Sequence, residues 1–166
     1  MAVKDAFIAE LNFESSLTRK MLERVPMDRK DWKPHEKSMS LGRLATHIAE
    51  TIHWVTAIAH IDEFDFQKDY KFKPESAAST GDLIKRFETH LQTALGDLSK
   101  MSDTDFDAIW TVRNGEQVMF KLPKKVAVRG WAFSHMIHHR GQLSVYLRLL
   151  DVPVPGMYGP SADEMG

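Results

Sequence analysis

Apolar residues recur every three or four positions between Thr80 and about Lys100, and this spacing places them on one face of a single helix. The residues that form this face are Ile84, Phe87, Leu91, Ala94, Leu95 and Leu98. Asp82 in the first turn and Lys100 near the end both match the sign of the helix dipole. A helix with one wide apolar face needs partners that cover it, so we expect this segment to pack against other helices.

Three other blocks of sequence supply candidate partner helices. The first of them ends before Pro26, which cannot continue a helix. In the second, apolar residues again follow steps of three and four. The predicted helices run from about Lys4 to Val25, from Ser38 or Ser40 (either could cap the helix) to about His60, and from Pro123 to about Leu150.

Two segments between these blocks do not follow the helical pattern. Residues 62–79 alternate aromatic and charged side chains, and we interpret them as a loop whose aromatic residues pack inward. Between Met101 and Pro123, β-branched and aromatic residues flank Asn114 and Gly115. Asn-Gly is the preferred pair for a type I′ turn, in which both central residues need a positive φ, so we predict a hairpin there. The sequence thus predicts one all-α domain over residues 1–166, a four-helix bundle with a small β-hairpin before the last helix.

Composition excludes several classes of function. Lys and Arg total 22 against 23 Asp and Glu, without the basic surplus of a nucleic-acid-binding protein. The chain has no cysteine, which rules out disulfides, cysteine zinc sites and a cysteine nucleophile. No stretch reaches the roughly 18 apolar residues of a membrane span, and charges interrupt any N-terminal signal sequence. We therefore expect a cytoplasmic protein with a small-molecule substrate and no nucleic-acid or membrane partner.

Three of the eight histidines lie within five residues of the last helical block: His135, His138 and His139. Residues four apart share a helix face, so His135 and His139 could chelate one metal ion; the alternative pair is His135 with His138. At about 100° per residue, His139 lies roughly 50° and His135 roughly 90° from the centre of the apolar face. His138 lies nearly opposite that face. The wheel therefore favours His135 and His139 as ligands at the border of the core.

A third ligand has to come from another helix, because two histidines make a weak metal site. His47 in the second block and His90 in the third are both border residues, and wheel geometry does not choose between them. Border histidines are more often hydrogen-bonded packing residues than ligands. On that ground His35, His53, His60, His90 and His138 are expected to be structural or solvated.

Residues that follow the histidine pair extend the same row of side chains. Gln142 and Tyr146 lie one turn further along and are candidates for orienting a substrate. Gly141 is unfavourable inside a helix by about 1 kcal/mol relative to Ala. We expect it to permit the close approach of another helix, or else to leave space beside a metal.

LATHIAE carries His47, and SHMIHHRGQLSVYLR carries His135 and His139 in an HxxxHRGQ pattern. With WKPHEKSMSLG and VPVPGMYGPSADE, these stretches resemble the DinB-like, YfiT-like family of metalloenzymes, and the resemblance covers essentially the whole chain. The resemblance implies a four-helix bundle in which His47, His135 and His139 hold zinc or nickel, and it implies a homodimer. It further implies transfer of a low-molecular-weight thiol, such as bacillithiol or mycothiol, because characterised relatives include thiol-dependent transferases and isomerases.

Three neutral imidazoles would leave a divalent ion with at least one open position, which is the arrangement of catalytic sites. Such an ion lowers the pKa of a bound thiol or water toward neutrality. The first case gives a thiol transferase, whose thiolate must come from a small molecule because the chain has no cysteine. The second gives a metal-dependent hydrolase. A non-catalytic metal-binding or ligand-binding stress-response protein, and a bundle without metal, are the remaining alternatives.

Overall fold

The computed structural model describes residues 2–70 and 75–165, which form a mostly helical protein with a small three-stranded sheet. A short 3-10 helix covers Met27–Arg29, and a π-helical segment covers Val128–Ser134. The α-helices are α1 (Val3–Leu22), α2 (Leu41–Thr51), α3 (His53–His60), α4 (Thr80–Lys100), α5 (Asp103–Asp107), α6 (Lys124–Ala127) and α7 (His135–Leu149). The strands are β1 (Glu63–Asp65), β2 (Ile109–Asn114) and β3 (Gln117–Pro123).

Local capping explains where the two best-predicted helices begin. Helix α4 has the predicted bounds, and the Ser79 hydroxyl accepts a hydrogen bond from the backbone N–H of Asp82. Of the two candidate caps for the second helix, Ser40 is the one used, because its hydroxyl accepts from the backbone N–H of Arg43. That predicted helix is interrupted at Ile52, which separates α2 from α3.

The last predicted helix is not uniform, because Val128–Ser134 winds as a π-helix before α7 begins at His135. A π-helical turn holds more residues than an α-helical turn, so a wheel drawn at 100° per residue does not describe this segment. Within α7 the wheel is accurate: Met136, Leu143 and Leu147 are buried and His138 is exposed. Segments of π-helix occur frequently beside functional sites.

The predicted loop over residues 62–79 contains a strand instead. Strand β1 pairs in parallel with β2, which pairs antiparallel with β3. Phe64 in β1 is buried, as the inward packing of the aromatic residues predicted, while Tyr70 is exposed. Phe72 lies outside the described residues. The other described residues of this segment are turns and irregular chain, as predicted, and the prediction was wrong for Glu63–Asp65. This strand was missed because its partner, β2, is distant in sequence and a short strand has little signal of its own.

The predicted hairpin is present, but its turn is not type I′. Asn114 pairs with Gln117, so the two residues of the loop are Gly115 and Glu116. Of these, only Gly115 has a positive φ, at 60°. A positive φ at the first central residue alone is the pattern of a type II′ turn. Asp65 contributes to this register, because its carboxylate accepts from the backbone N–H of Gly115 at 2.9 Å.

We expect opposite effects from alanine at two glycines. Gly115→Ala should lower the free energy of unfolding by about 1–2 kcal/mol, because a β-carbon is unfavourable at positive φ. Gly141→Ala should raise it by about 0.4–1 kcal/mol, because a β-carbon at this helical position would meet no atom within 4 Å. Urea denaturation of the two variants and the wild type measures both effects. A gain in stability for Gly115→Ala would contradict the turn geometry.

Packing between helices places α2 directly against α7. Helix α1 contacts both α4 and α7, and α2 contacts the same two helices. The core that these helices share contains fully buried side chains from all four of them: Leu11, Leu44, Ile48, Phe87, Met136 and Leu143. None of the helices in residues 2–70 and 75–165 combines the length and apolar character needed to cross a membrane. The contact between α2 and α7 is the one that assembles the site described next.

Candidate metal centre

Three histidines meet where α2 packs against α7. His47 comes from α2, and His135 and His139 lie four residues apart on α7. One ring nitrogen from each lies within 4.8 Å of the other two, and His47 Nε2 is 3.1 Å from His135 Nε2. In a tetrahedral zinc site with Zn–N distances of about 2.05 Å, ligand nitrogens are roughly 3.3 Å apart. The His47 and His135 nitrogens are therefore close to the separation that one metal ion requires, and a nitrogen of His139 lies within 4.8 Å of both.

Of the other histidines in the sequence analysis, His53, His60, His90 and His138 do not join this group of donors. His90, the other candidate for the third position, contacts His53 with 5.5 Å between ring centroids. His138 is exposed, and its ring lies beside that of His139 without joining the group of donors. His60 binds Asp97 at 2.9 Å. The structure thus brings together His47, His135 and His139, three histidines that could hold one metal ion.

Hydrogen bonds on the far side of two rings set their tautomers for ligation through Nε2. His135 Nδ1 is 3.3 Å from the backbone carbonyl of Trp131, and His139 Nδ1 is 2.7 Å from Gln142 Oε1. Both partners are acceptors, so each Nδ1 carries the proton and donates it. Each Nε2 then presents its lone pair, as in metal sites where the second ring nitrogen donates to a carbonyl or carboxylate.

His47 has the opposite arrangement. Its Nδ1 lies 3.4 Å from the guanidinium of Arg43, which can only donate. His47 Nδ1 therefore accepts, and its Nε2–H donates to His135 Nε2. Ligation through Nε2 would require the proton to move to Nδ1 and the bond from Arg43 to be given up, while Arg43 also donates to Glu50 at 3.3 Å. Sequence reasoning missed Arg43, although its position four residues before His47 is a signal that the two side chains can meet.

The electrostatics of the cluster favour neutral imidazoles. The pKa of His47 is lowered to about 3, mainly by burial and to a smaller extent by the neighbouring His139, His135 and Arg43. Burial is also the main cause that lowers the pKa of His135 and of His139. At neutral pH all three rings are uncharged, which is the form in which histidine binds a metal.

Gln142 and Tyr146, the two residues predicted to orient a substrate, have different surroundings. The Gln142 amide accepts from His139 and so orients a candidate ligand. The Tyr146 hydroxyl donates to the Met39 carbonyl at 3.2 Å, and its ring contacts Trp32. Gly141 is exposed, and in the described part of the chain no other element comes within 4 Å of where its β-carbon would lie, so the predicted close contact with another helix was wrong. Its side of α7 faces solvent.

Gln142→Ala is expected to weaken metal binding by about 10- to 100-fold, the usual effect of removing a hydrogen-bond partner of a ligating histidine. Gln142→Glu keeps an acceptor for His139 Nδ1–H and should stay within a few-fold of the wild type. Competition with a chromogenic zinc chelator measures both affinities. Equal affinities for Gln142→Ala and wild type would show that this bond does not orient His139.

A cavity of about 580 Å³ opens beside the histidine cluster, with His47 and His135 in its wall. Five of the other lining residues are Trp, Phe or Tyr, and they come from α3, the β1 region and the π-helical segment. Sequence reasoning missed this wall because it treated residues 62–79 as a loop and Trp131 as part of a regular helix. The alternation of aromatic and charged residues at 64–70 was the available signal.

Comparison with known proteins places this architecture among relatives of similar length. The uncharacterized protein YrdA of Bacillus subtilis is 27% identical over 164 residues, covering 96% of this chain and 90% of YrdA. A crystal structure of a DinB-like protein from Bacillus cereus superposes with a TM-score of 0.69 at 23% identity, covering 93% of this chain and 97% of that one. The DinB-like protein YjoA of Bacillus subtilis gives a TM-score of 0.67 at 21% identity, covering 88% and 94%. The DinB family model matches residues 1–166, and the chain belongs to the DinB family.

Proposed function

We propose that this protein is a divalent-metal-dependent enzyme on a four-helix bundle, and that it transfers a low-molecular-weight thiol to an electrophile. His47, His135 and His139 would hold one zinc or nickel ion, both of which suit imidazole ligands. The protein would act in the cytoplasm as a homodimer on small molecules, without a nucleic-acid or membrane partner. The observation that carries the proposal is the convergence of three neutral histidines beside a cavity.

The number and type of donors favour catalysis over a structural metal. Within residues 2–70 and 75–165, no fourth His, Cys, Asp or Glu joins the cluster. Structural zinc sites are usually closed by four protein ligands, whereas catalytic sites keep a position for water or substrate. The cavity next to His47 and His135 gives a small molecule access to that position. A buried cluster without a cavity would instead favour a binding protein.

A divalent ion held by these histidines would supply Lewis acidity and lower the pKa of a thiol or water that binds to it. Gln142 would hold the ring of His139 in place, and the Trp131 carbonyl would hold that of His135. In the transfer, the thiol gives up its proton to solvent and its sulfur forms a bond to an electrophilic carbon. The bond from that carbon to its leaving atom breaks, and the leaving atom takes the electron pair. A chloroarene releases chloride, whereas the oxygen of an opened epoxide stays attached and takes a proton from solvent.

The thiol must be a small molecule because the chain has no cysteine. The test begins with elemental analysis of the untagged protein, followed by assays of small thiols, bacillithiol and mycothiol among them, with a chloroarene or epoxide electrophile. We expect thiol consumption that stops on chelation and returns with zinc or nickel. Metal-dependent ester or amide hydrolysis without thiol transfer would favour the hydrolase. Metal binding without turnover of any pair would favour a binding protein.

A further inference from the structure

The cavity beside the histidine cluster has one wall built from aromatic rings that support each other. Trp54 lies between Trp131 and Phe64, with ring centroids 5.0 Å and 4.9 Å away and both contacts edge-on. Phe66 contacts Phe64 at 5.2 Å and Tyr70 at 5.8 Å. Behind the wall, the fully buried Trp110 contacts both Trp54 and Trp131. The rings of Trp54, Phe64, Phe66 and Trp131 each contact two or more other rings. This part of the wall is therefore formed before any ligand arrives.

Most polar groups of the cavity lie outside the aromatic wall; Asp69, which follows Phe66, accepts a hydrogen bond from the backbone N–H of Asp65 at 2.8 Å. His47 and His135 provide the metal end, and Glu50 is already bound to Arg43. His53 and His90 contact each other, and burial lowers the pKa of His90. Among the described residues that line the cavity, there is no Lys or Arg to attract an anionic ligand. The aromatic wall therefore offers a surface for an uncharged ring, while the histidines offer a place for a polar head.

The size of the cavity agrees with such a ligand. Its volume of about 580 Å³ lies in the range of sites that enclose drug-sized molecules. A small aliphatic thiol would leave most of the aromatic surface in contact with water. A ring added to that thiol would bury apolar area and gain edge-to-face or stacked contacts with the wall.

We infer that this cavity binds the aromatic or planar conjugated part of a small molecule whose polar head reaches the position beside His47 and His135. The inference rests on the proposed function for the role of the head, and it names the substrate class: an aryl-bearing thiol or electrophile. Trp54, Phe66 and Trp131 form the surface against which the ring packs.

Two measurements test the ring and the head separately. Benzyl alcohol is titrated into metal-free protein, with the intrinsic tryptophan fluorescence, to which Trp54 and Trp131 in the wall contribute, as the signal. Benzyl mercaptan and 2-mercaptoethanol are titrated into cobalt-loaded protein, with the thiolate-to-cobalt charge-transfer absorption as the signal. We expect benzyl alcohol to bind saturably and benzyl mercaptan to bind at least about tenfold more tightly than 2-mercaptoethanol.

Variants assign the binding to the aromatic wall. Phe66→Ala removes a ring from the wall, and Ala57→Phe fills the cavity from α3 without removing one. Both variants should weaken the binding of benzyl alcohol by at least about fivefold. Phe13→Ala makes the same change at an exposed phenylalanine on α1 and should have no effect. The two wall variants act independently, so a folding defect in one does not remove the test.

The outcomes separate this inference from the proposed function. Absence of benzyl alcohol binding, or equal affinities for the two thiols on the cobalt protein, would overturn the aromatic site. Saturable binding of benzyl alcohol to a protein that takes up no metal would support the aromatic site and overturn the proposed function. Benzyl alcohol binding that survives both Phe66→Ala and Ala57→Phe would place the ring elsewhere and overturn the inference.

Discussion

His139→Ala is expected to weaken zinc binding by more than about 100-fold, and His47→Ala and His135→Ala should do the same. Removing a hydrogen-bond partner of a ligand costs 10- to 100-fold, so removing one of three ligands costs more. Chelator competition and elemental analysis measure the loss. In the wild type, zinc at 100 times its Kd should raise the melting temperature by about 5–10 °C, because metal binds only the folded state. The three variants should not show this rise.

His138→Ala is the matched control, because His138 is adjacent to His139 in sequence but exposed and outside the donor group. It should keep metal affinity within about threefold of the wild type, since it loses no donor of the cluster. Loss of metal in His138→Ala with retention in His139→Ala would mean that α7 has a different register. Retention of metal affinity in all four variants would show that these histidines do not form a metal centre.

Features that depend on neighbouring residues were predictable from the sequence. The bounds of α4 follow from an apolar period and a serine cap within one segment. The pairing of His135 with His139 follows from the spacing of four residues on α7. In both cases, the residues that carry the prediction lie within about 20 positions of one another. The regular geometry of a helix then determines which of their side chains share a face.

Features that depend on which elements meet were not predictable in the same way. His47 and His90 occupy similar border positions on their own helices, and only the packing of α2 against α7 distinguishes them. The resemblance to a family pointed to His47, while the helical wheel left both open. Strand β1 pairs with β2, which begins more than 40 residues later, so its three residues had no local signal strong enough to indicate a strand.

The role of Arg140 also required the structure. In the sequence, Glu14 lies in the first predicted helix and Arg140 follows His139 in the last, and nothing in their spacing indicates that they meet. In the structure both are buried, and the Arg140 guanidinium donates to a Glu14 carboxylate oxygen at 2.7 Å. It also donates to Thr18 and to the hydroxyl of Tyr158 in the C-terminal segment. A charged residue on an apolar helix face can thus belong to the core when a residue distant in sequence forms a buried ion pair with it.

Arg140→Met is expected to lower the free energy of unfolding by about 3–5 kcal/mol, the usual loss when one member of a buried ion pair is removed. The variant would leave the Glu14 carboxylate buried with the Tyr158 hydroxyl as its remaining donor. Urea denaturation of metal-free protein measures the change without a contribution from metal. Arg148→Met makes the same substitution at an exposed pair with Asp163 and should cost no more than about 1 kcal/mol.

The double variant Glu14→Leu with Arg140→Met separates two contributions to the free energy of unfolding: the stabilisation by the ion pair and the destabilisation by an unpaired buried charge. It removes both charges, and the Thr18 hydroxyl still donates to the Glu14 backbone carbonyl at 2.8 Å, so that carbonyl keeps a partner. We therefore expect the double variant to be more stable than Arg140→Met by at least about 2 kcal/mol. A double variant as unstable as the single one would mean that the Arg140 bonds to Thr18 and Tyr158, rather than the ion pair, hold α7 against α1 and the C-terminal segment.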